Sequence, residues 1–498
     1  MNRTRNMSLQ WMKSKGFGKK SLLGFMGAAF LTVSACSVNP ATGDRQFTAL
    51  LPADKEADVG AQEHQNVEKS FGKFMSGPLA DYVSTVGAKI AANTERKDVQ
   101  YKFHVIDSPI VNAFAVPGGY VYVSRGLLAL ANSEAELAGV LAHEVGHITA
   151  RHAAERVSQG FLVNLGAAVL GAAAGNADIG RAAGLGSELY IKSYSRGQEH
   201  ESDSLGVRYL SRAGYDANAM AGFLKNLDAQ TKLDAKLSGK KTSGFNYFST
   251  HPITSERVKQ ASVEAQNYSK RKAVVNRDSH LQKINGMTYG DSADQGFVRG
   301  NNFYHTKIGF MFSVPEGTKI SNSQAAVMAK HNNGTVIVFD MGKVQQAIPP
   351  LDYIKNVWLK NQTVGSAESI KVNGMNAATA AFTGVVQGKS VTIRLVAIEW
   401  KPGEFFRFQM AIPKTVNSAF MDELKKTTYS FRRLTASEKN SIRPKRIKLV
   451  AAKSGDTVKS LGARMKVDEL MSQQFMVLNG LTANDRIIAG RLYKVISD

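Results

Sequence analysis

Five consecutive residues, His143-Glu144-Val145-Gly146-His147, make the sharpest geometric demand in the chain. Histidines four apart lie on one face of a helix, so both imidazoles reach one divalent cation. The glutamate between them points toward the same cation and can take a proton from water polarised there. That is the minimum equipment for Zn²⁺-assisted hydrolysis of a peptide bond. The geometry holds only within a helix, and the flanking residues predict one. Ser133-Glu134-Ala135-Glu136 has the form of a capping box. Leu137, Val140, Leu141, Val145 and Ile148 follow at helical spacing.

A catalytic zinc takes three protein ligands and keeps a position open. Position 153 is Ala153, which excludes the metzincin arrangement with a histidine six residues after the second one. His152 is one residue off that spacing and is expected to face elsewhere. Downstream, Tyr194 to Asp203 is a polar opening to a helix that continues through Leu205, Val207 and Leu210. Glu199 and Asp203 share a face of it. Glu199 suits a zinc ligand, and Asp203 suits a hydrogen bond to the far nitrogen of a ligand histidine. Acids also favour a helix N-terminus for their own sake. His200 and Glu201 are rival ligands that spacing does not exclude.

With these stretches in view, the chain resembles the integral-membrane and periplasmic zinc metallopeptidases of the BepA, HtpX, LoiP and CAAX-prenyl-protease type. Four segments between about Phe47 and Ala265 carry the likeness: Asn112 to Gly119 with Tyr120 to Val123; the helix of His143, Glu144 and His147; the stretch from Ser195 to Asp203, with Ser202 where the family usually has Ala; and Ser249-Thr250-His251-Pro252 with Arg257. The resemblance implies a mainly helical, gluzincin-type domain with a small sheet. It implies one Zn²⁺ on His143, His147 and Glu199, with Glu144 as general base and Asp203 behind a ligand. Asn112, Ala113, Phe114 and Ala115 would form an edge strand that pairs with an extended substrate backbone. His251 would sit near the metal, either restraining activity or stabilising the oxyanion.

The first 35 residues hold Arg3, Arg5, Lys13, Lys15, Lys19 and Lys20 and no acid, followed by an apolar run from Leu22 to Val33. This is the anatomy of a bacterial secretory signal, and the run is too short for an ordinary membrane span. Cys36, the sole cysteine, follows Val33-Ser34-Ala35. The segment is similar to a lipoprotein signal, with Cys36 as the acylated new N-terminus. Ser37 after it implies export to the outer membrane, which places the protein on its periplasmic face. No disulfide can form within one chain. The formal charge is +22, six of it in the first 35 residues, which leaves +16. So basic a surface suits lipid headgroups, lipopolysaccharide or peptidoglycan. Export and the lack of a recognisable motif argue against nucleic acid.

The chain is too long for one domain, and the pattern predicts an α+β multidomain protein. Residues 36–270 form the peptidase unit, with a small sheet from Tyr101 to Val123. Within it, Phe161 to Gly186 is rich in Gly and Ala, and reads either as a lid over the cleft or as a closely packed helix. Residues 285–433 read as a separate α/β domain without a chemical motif, with helices at Asp352–Lys360 and Val416–Lys426. Residues 434–447 read as a linker. Residues 448–498 resemble a LysM module, a small βααβ unit that binds peptidoglycan. Together these features imply a zinc endopeptidase that degrades misfolded or misassembled envelope proteins. A chaperone-like assembly factor with a gated zinc site is an alternative, and a peptidoglycan-associated scaffold is another.

Overall fold

The computed structural model describes residues 36–160, 193–238, 247–268, 273–323, 326–360 and 365–498. The expected signal segment, residues 1–35, and the Gly- and Ala-rich stretch at 161–186 lie outside the described residues.

The described chain opens with an antiparallel ribbon, β1 (Cys36–Val38) against β2 (Arg45–Phe47). Helices α1 (Glu56–Phe71) and α2 (Pro78–Ala91) follow, the latter with proline at its first turn, where no donor is missed. Strands β3 (Lys102–Ile106), β4 (Ala113–Val116) and β5 (Tyr120–Ser124) form a sheet in the order β3-β5-β4. β3 runs parallel to β5, and β4 antiparallel to it, so β4 is an edge. Gly118 and Gly119 turn the chain between β4 and β5 at φ of +76° and +96°. A side chain at either would be strained there and would also meet the backbone of Glu56 or Gln100.

A short helix, α3 (Arg125–Leu130), leads to α4 (Glu134–Thr149), the helix of the His-Glu-x-x-His motif. Ser133 caps α4 by accepting from the Glu136 N–H. The Glu136 carboxylate does not return to Ser133 but accepts from the Asn132 N–H at 2.8 Å, one residue earlier than a capping box requires. From Leu137 to Thr149 every residue of α4 is buried, the mark of a helix enclosed by protein rather than lying on a surface. Helix α5 (Arg196–Arg212) crosses it closely. The approach is made possible by Gly146 and Gly206: a Cβ on Gly146 would meet Ser202 Oγ at 2.7 Å, and one on Gly206 would lie 3.3 Å from the His143 backbone nitrogen. Helices α6 (Asn218–Ser238), α7 (Tyr247–Thr250), α8 (Ser255–Gln266) and α9 (Arg277–Ile284) complete the helical part.

Next comes β6 (Thr288–Tyr289), then β7 (Phe297–Arg299), β8 (Asn302–His305), β9 (Phe310–Ser313), β10 (Thr318–Asn322), β11 (Val327–His331), β12 (Val336–Lys343), β13 (Ser366–Val372), β14 (Met375–Val386), β15 (Lys389–Lys401), β16 (Glu404–Pro413), helix α10 (Ser418–Ser430) and β17 (Arg432–Arg433). The largest sheet, β10-β11-β12-β16-β15-β14-β13, is antiparallel throughout. The unit is therefore α+β, not the expected α/β, because the strands of this sheet pair antiparallel and hairpins join all neighbours in sequence except β12 and β13. One face packs on the smaller sheet β17-β9-β8-β7 through Phe303, Phe310, Phe312, Phe339, Phe406, Phe408 and Phe431. The predicted helix at 416–426 is α10. The one at 352–360 is two short turns, Pro350–Asp352 and Tyr353–Trp358.

The expected boundaries at 285 and 434–447 need correction. Helix α11 (Ala436–Ser441) occupies the supposed linker, with a full capping box between Thr435 and Glu438. Strand β18 (Lys445–Ala451) begins inside it. Helices α12 (Val458–Gly462) and α13 (Met471–Leu478) and strand β19 (Leu492–Ser497) follow. β18 pairs with β19 on one side and with β6 on the other. Residues 288 and 289 thus belong to the C-terminal sheet. Nor does that sheet hang free. Ile447, Leu461, Phe475, Tyr493 and Ile496 share one buried core with Leu137, Leu141, Phe223, Leu281 and Ile284. Buried Arg125 ties β6 to the same core, donating to Asp107 Oδ1 at 2.6 Å, to the Thr288 carbonyl at 2.7 Å and to the Gly290 carbonyl at 2.9 Å.

Candidate metal centre

α4 presents His143 and His147 one turn apart, with their Nε2 atoms 3.1 Å from each other. α5 brings Glu199 to the same point. Its carboxylate oxygens lie 3.6 Å from His143 Nε2 and 3.5 Å from His147 Nε2. Ser195 starts α5 with a reciprocal capping box to Gln198, which fixes the first turn and with it Glu199. His251 follows α7. Its Nδ1 stands 2.8 Å from Glu199 Oε1 and 3.3 Å from His143 Nε2. One ligand atom from each of His143, His147, Glu199 and His251 falls within 4.8 Å of the others, and all four residues are buried. Among the described residues this is the only such group.

The surroundings hold each of these side chains. His143 Nδ1 lies 2.9 Å from Asp203 Oδ1. Arg257 grips Asp203 with a two-pronged contact, Nε to Oδ2 at 2.7 Å and Nη2 to Oδ1 at 2.8 Å, and its Nη1 reaches Glu199 Oε2 at 2.6 Å. The same Nη1 donates to the Pro252 carbonyl at 3.0 Å, which locks the segment after His251. Tyr194 stacks on His147, with centroids 3.8 Å apart, and Tyr247 stacks on His251 at 4.5 Å. Backbone bonds from Tyr194 to Thr250 and from Tyr247 to Val111 hold α7 between the edge strand and α5. Ser202 donates to the His143 carbonyl, so the hydroxyl at that position secures the α4–α5 crossing.

Electrostatics sort the protonation states. Burial drives His147 well below the ordinary imidazole value, and Glu199 only partly opposes it. Burial acts to raise Glu199, but the His251 charge and bonds from His147 and His251 outweigh it and hold the carboxyl well below its usual range. His143 is raised: burial would lower it, and the Asp203 bond overcomes that. A cation competes with that proton, since a ligand histidine must be neutral. Glu144 is fully buried and raised by that burial. Neither of its carboxylate oxygens accepts a hydrogen bond from the described residues, and His251 Nε2 stands 3.5 Å away.

Comparison with known proteins places the helical part. Residues 79–265 match peptidase family M48. They form a peptidase family M48 domain. The chain is 28% identical over 282 residues to the beta-barrel assembly-enhancing protease of Yersinia pestis, covering 51% of this chain and 57% of that one. It is 33% identical over 219 residues to a putative beta-barrel assembly-enhancing protease of Vibrio cholerae, at 41% and 43% coverage. It is 31% identical over 229 residues to the mitochondrial metalloendopeptidase OMA1 of Schizosaccharomyces pombe, at 44% and 64% coverage. The chain spans about half the length of the curated relatives it matches. A cyanobacterial PsbP from Synechocystis aligns with 28% of this chain at 11% identity and a TM-score of 0.22, which carries no inference.

Within the M48 domain the residues singled out in the sequence divide clearly. His143, Glu144, His147, Glu199, Asp203, His251 and Arg257 converge. The rivals separate: His200 is not part of the group, and Glu201 turns to His152. His152 stays outside the metal-facing group, as its spacing predicts, and packs behind His147. It is fully buried, with Nδ1 2.8 Å from His147 Nδ1. The reason is Arg151, at φ +58°, which ends α4 in a left-handed turn and folds the next residue back. Asn112 precedes β4, and Ala113, Phe114 and Ala115 lie in it. All four are buried, and the Asn112 side-chain oxygen accepts no hydrogen bond from the described residues. Tyr194 and Tyr247 had no signal as aromatic neighbours of the histidines. Their places follow from α7 and the start of α5, which only the fold brings together.

Proposed function

We propose that the chain is a zinc-dependent endopeptidase of the cell envelope. His143, His147 and Glu199 hold the metal, and Glu144 is the general base. One observation carries this reading. A fully buried Glu144, with neither oxygen hydrogen-bonded by the described residues, borders four buried residues whose ligand atoms lie within 4.8 Å of one another. Two histidine nitrogens face each other at 3.1 Å, each with an outer partner on its far nitrogen, which suits two ligands of one cation. When bound, Zn²⁺ supplies Lewis acidity and lowers the pKa of water toward about 7. Glu144 then takes the proton of the attacking water and delivers it to the leaving amine. Asp203 and Arg257 keep His143 and Glu199 oriented. β4, as an edge, pairs with an extended substrate backbone. Substrates are envelope proteins that have misfolded or failed to assemble, in keeping with the names of the bacterial relatives. Acylated Cys36 holds the enzyme to the periplasmic face of the outer membrane, and the C-terminal unit contacts peptidoglycan.

The test pairs wild type with Glu144→Gln. One zinc per chain in both, with casein cleavage in wild type alone, supports the reading. Cleavage by Glu144→Gln at the wild-type rate removes Glu144 as base. A folded wild type that takes up no zinc removes the enzyme.

The position of His251 favours a second reading, a gated site in a chaperone-like assembly factor. Its Nδ1 lies as close to Glu199 as a ligand's hydrogen-bond partner would, and it occupies space beside Glu144. His251→Ala is expected to gain proteolysis under the gated reading and to lose it if His251 stabilises the oxyanion.

A further inference from the structure

The two metal-facing histidines have different outer partners. Behind His143 stands a carboxylate, Asp203. Behind His147 stands a second imidazole, His152, and a chain of contacts continues from it. His147 Nδ1 meets His152 Nδ1 at 2.8 Å; His152 Nε2 meets Glu201 Oε2 at 3.1 Å; Asn39 Nδ2 donates to Glu201 Oε1 at 2.5 Å.

Only one proton order suits all of these contacts at once when His147 faces the metal through Nε2. His147 then carries its hydrogen on Nδ1 and donates to His152 Nδ1. His152 must carry its hydrogen on Nε2, and Glu201 accepts it there. The other Glu201 oxygen accepts from the Asn39 amide. Every donor has an acceptor, and no ring nitrogen is left over. Asn39 is one residue beyond β1, so the chain runs from the metal site into the N-terminal ribbon. The neighbouring residue repeats the connection. Arg151 donates to Glu56 Oε1 at 2.8 Å, to Ser37 Oγ at 3.2 Å, to Thr48 Oγ1 at 3.3 Å and to the Leu51 carbonyl at 2.8 Å. Its guanidinium thus reaches Ser37, in the strand that Asn39 follows.

We propose that His152 is a positioning residue that fixes the tautomer and ring orientation of His147, and that Glu201 and Asn39 set His152 in turn, so the N-terminal ribbon is a working part of the metal site. The proposal rests on the metal-centre reading above. Outer partners of this kind change metal affinity about 10- to 100-fold when removed.

The experiment measures Zn²⁺ affinity of the full chain by chelator competition, with circular dichroism as the check of fold. His152→Leu leaves His147 without an acceptor and is expected to weaken binding about 10- to 100-fold. His152→Asn puts an amide oxygen where Nδ1 was and is expected to recover affinity to within about 3-fold of wild type. Asn39→Ala, remote from the metal, is expected to weaken binding several-fold by loosening Glu201. A folded His152→Leu with wild-type affinity overturns the proposal, and so does equal weakening in the Leu and Asn variants, which a filler role would give. Should His152→Leu not fold, unchanged affinity in Asn39→Ala overturns the link to the ribbon. A folded wild type that binds no Zn²⁺ instead overturns the metal centre itself.

Discussion

At His280 the fold keeps an imidazole neutral where water would charge it. The side chain is buried on α9, its Nε2 donates to the Ala131 carbonyl at 3.2 Å, and its Nδ1 lies 3.0 Å from the Tyr82 hydroxyl. Burial, helped by the nearby Lys494 charge, pushes its pKa down to about 3. Below about 6.5 the unfolded chain binds a proton that the folded chain refuses, so stability falls as pH falls from 6.5 toward 3. The loss is about 1.4 kcal/mol per pH unit across that window. Urea unfolding at pH 6 and pH 4 is expected to show that slope, and His280→Gln to flatten it by the same amount; identical slopes would mean that His280 is not held neutral. At this scale the sequence is most informative where spacing alone makes geometry, as with His143 and His147. It is least informative where a single backbone angle decides. Nothing in the letters Arg151-His152 announces a left-handed residue, and so nothing predicts that His152 turns back on its neighbour.

Elements show a similar division. α4 is legible because its apolar positions recur at helical spacing, and α5 because a polar opening precedes Leu205, Val207 and Leu210. Their crossing is not legible, since it depends on Gly146 making room for Ser202 and Gly206 making room for His143, contacts between residues more than 50 positions apart. The crossing makes its own prediction. Gly146→Ala gains helix propensity worth about 1 kcal/mol but drives a methyl group to 2.7 Å from Ser202 Oγ. Overpacking costs about 1 to 3 kcal/mol, and the contact is backed by the Ser202 carbonyl at 3.1 Å, so repulsion wins. Net destabilisation of up to about 2 kcal/mol is expected. Adding Ser202→Ala is expected to restore part of it; in a double-mutant cycle, strict additivity would show that the two positions do not collide.

For the whole molecule, the sequence points to the existence of three kinds of structure but not to their union. A short polar stretch with one proline reads as a linker, and only β18 pairing with β6 shows that the C-terminal unit is built into the peptidase core. Lys494 makes the union specific. Fully buried on β19, its ammonium donates to the carbonyls of Ala129 at 2.7 Å and Ala131 at 2.8 Å, at the end of α3. Those carbonyls have no continuing helix to accept from. Lys494→Met is expected to lower the unfolding free energy of the full chain by about 1 to 3 kcal/mol, because it leaves the buried Ala129 carbonyl without its donor while Ala131 keeps His280. Lys448→Met, at an exposed site on β18, is expected to stay within about 0.5 kcal/mol of wild type. Equal effects would mean that the lysine does not join the units.

The same contact sets a clock. Lys494 lies 363 residues downstream of Ala131. At translation rates of about 5 to 20 residues per second, it leaves the ribosome roughly 20 to 70 seconds after its partner. Through that interval the Ala129 carbonyl at the end of α3 waits for its donor. A fold closed by so late a contact cannot be completed until β19 has been made.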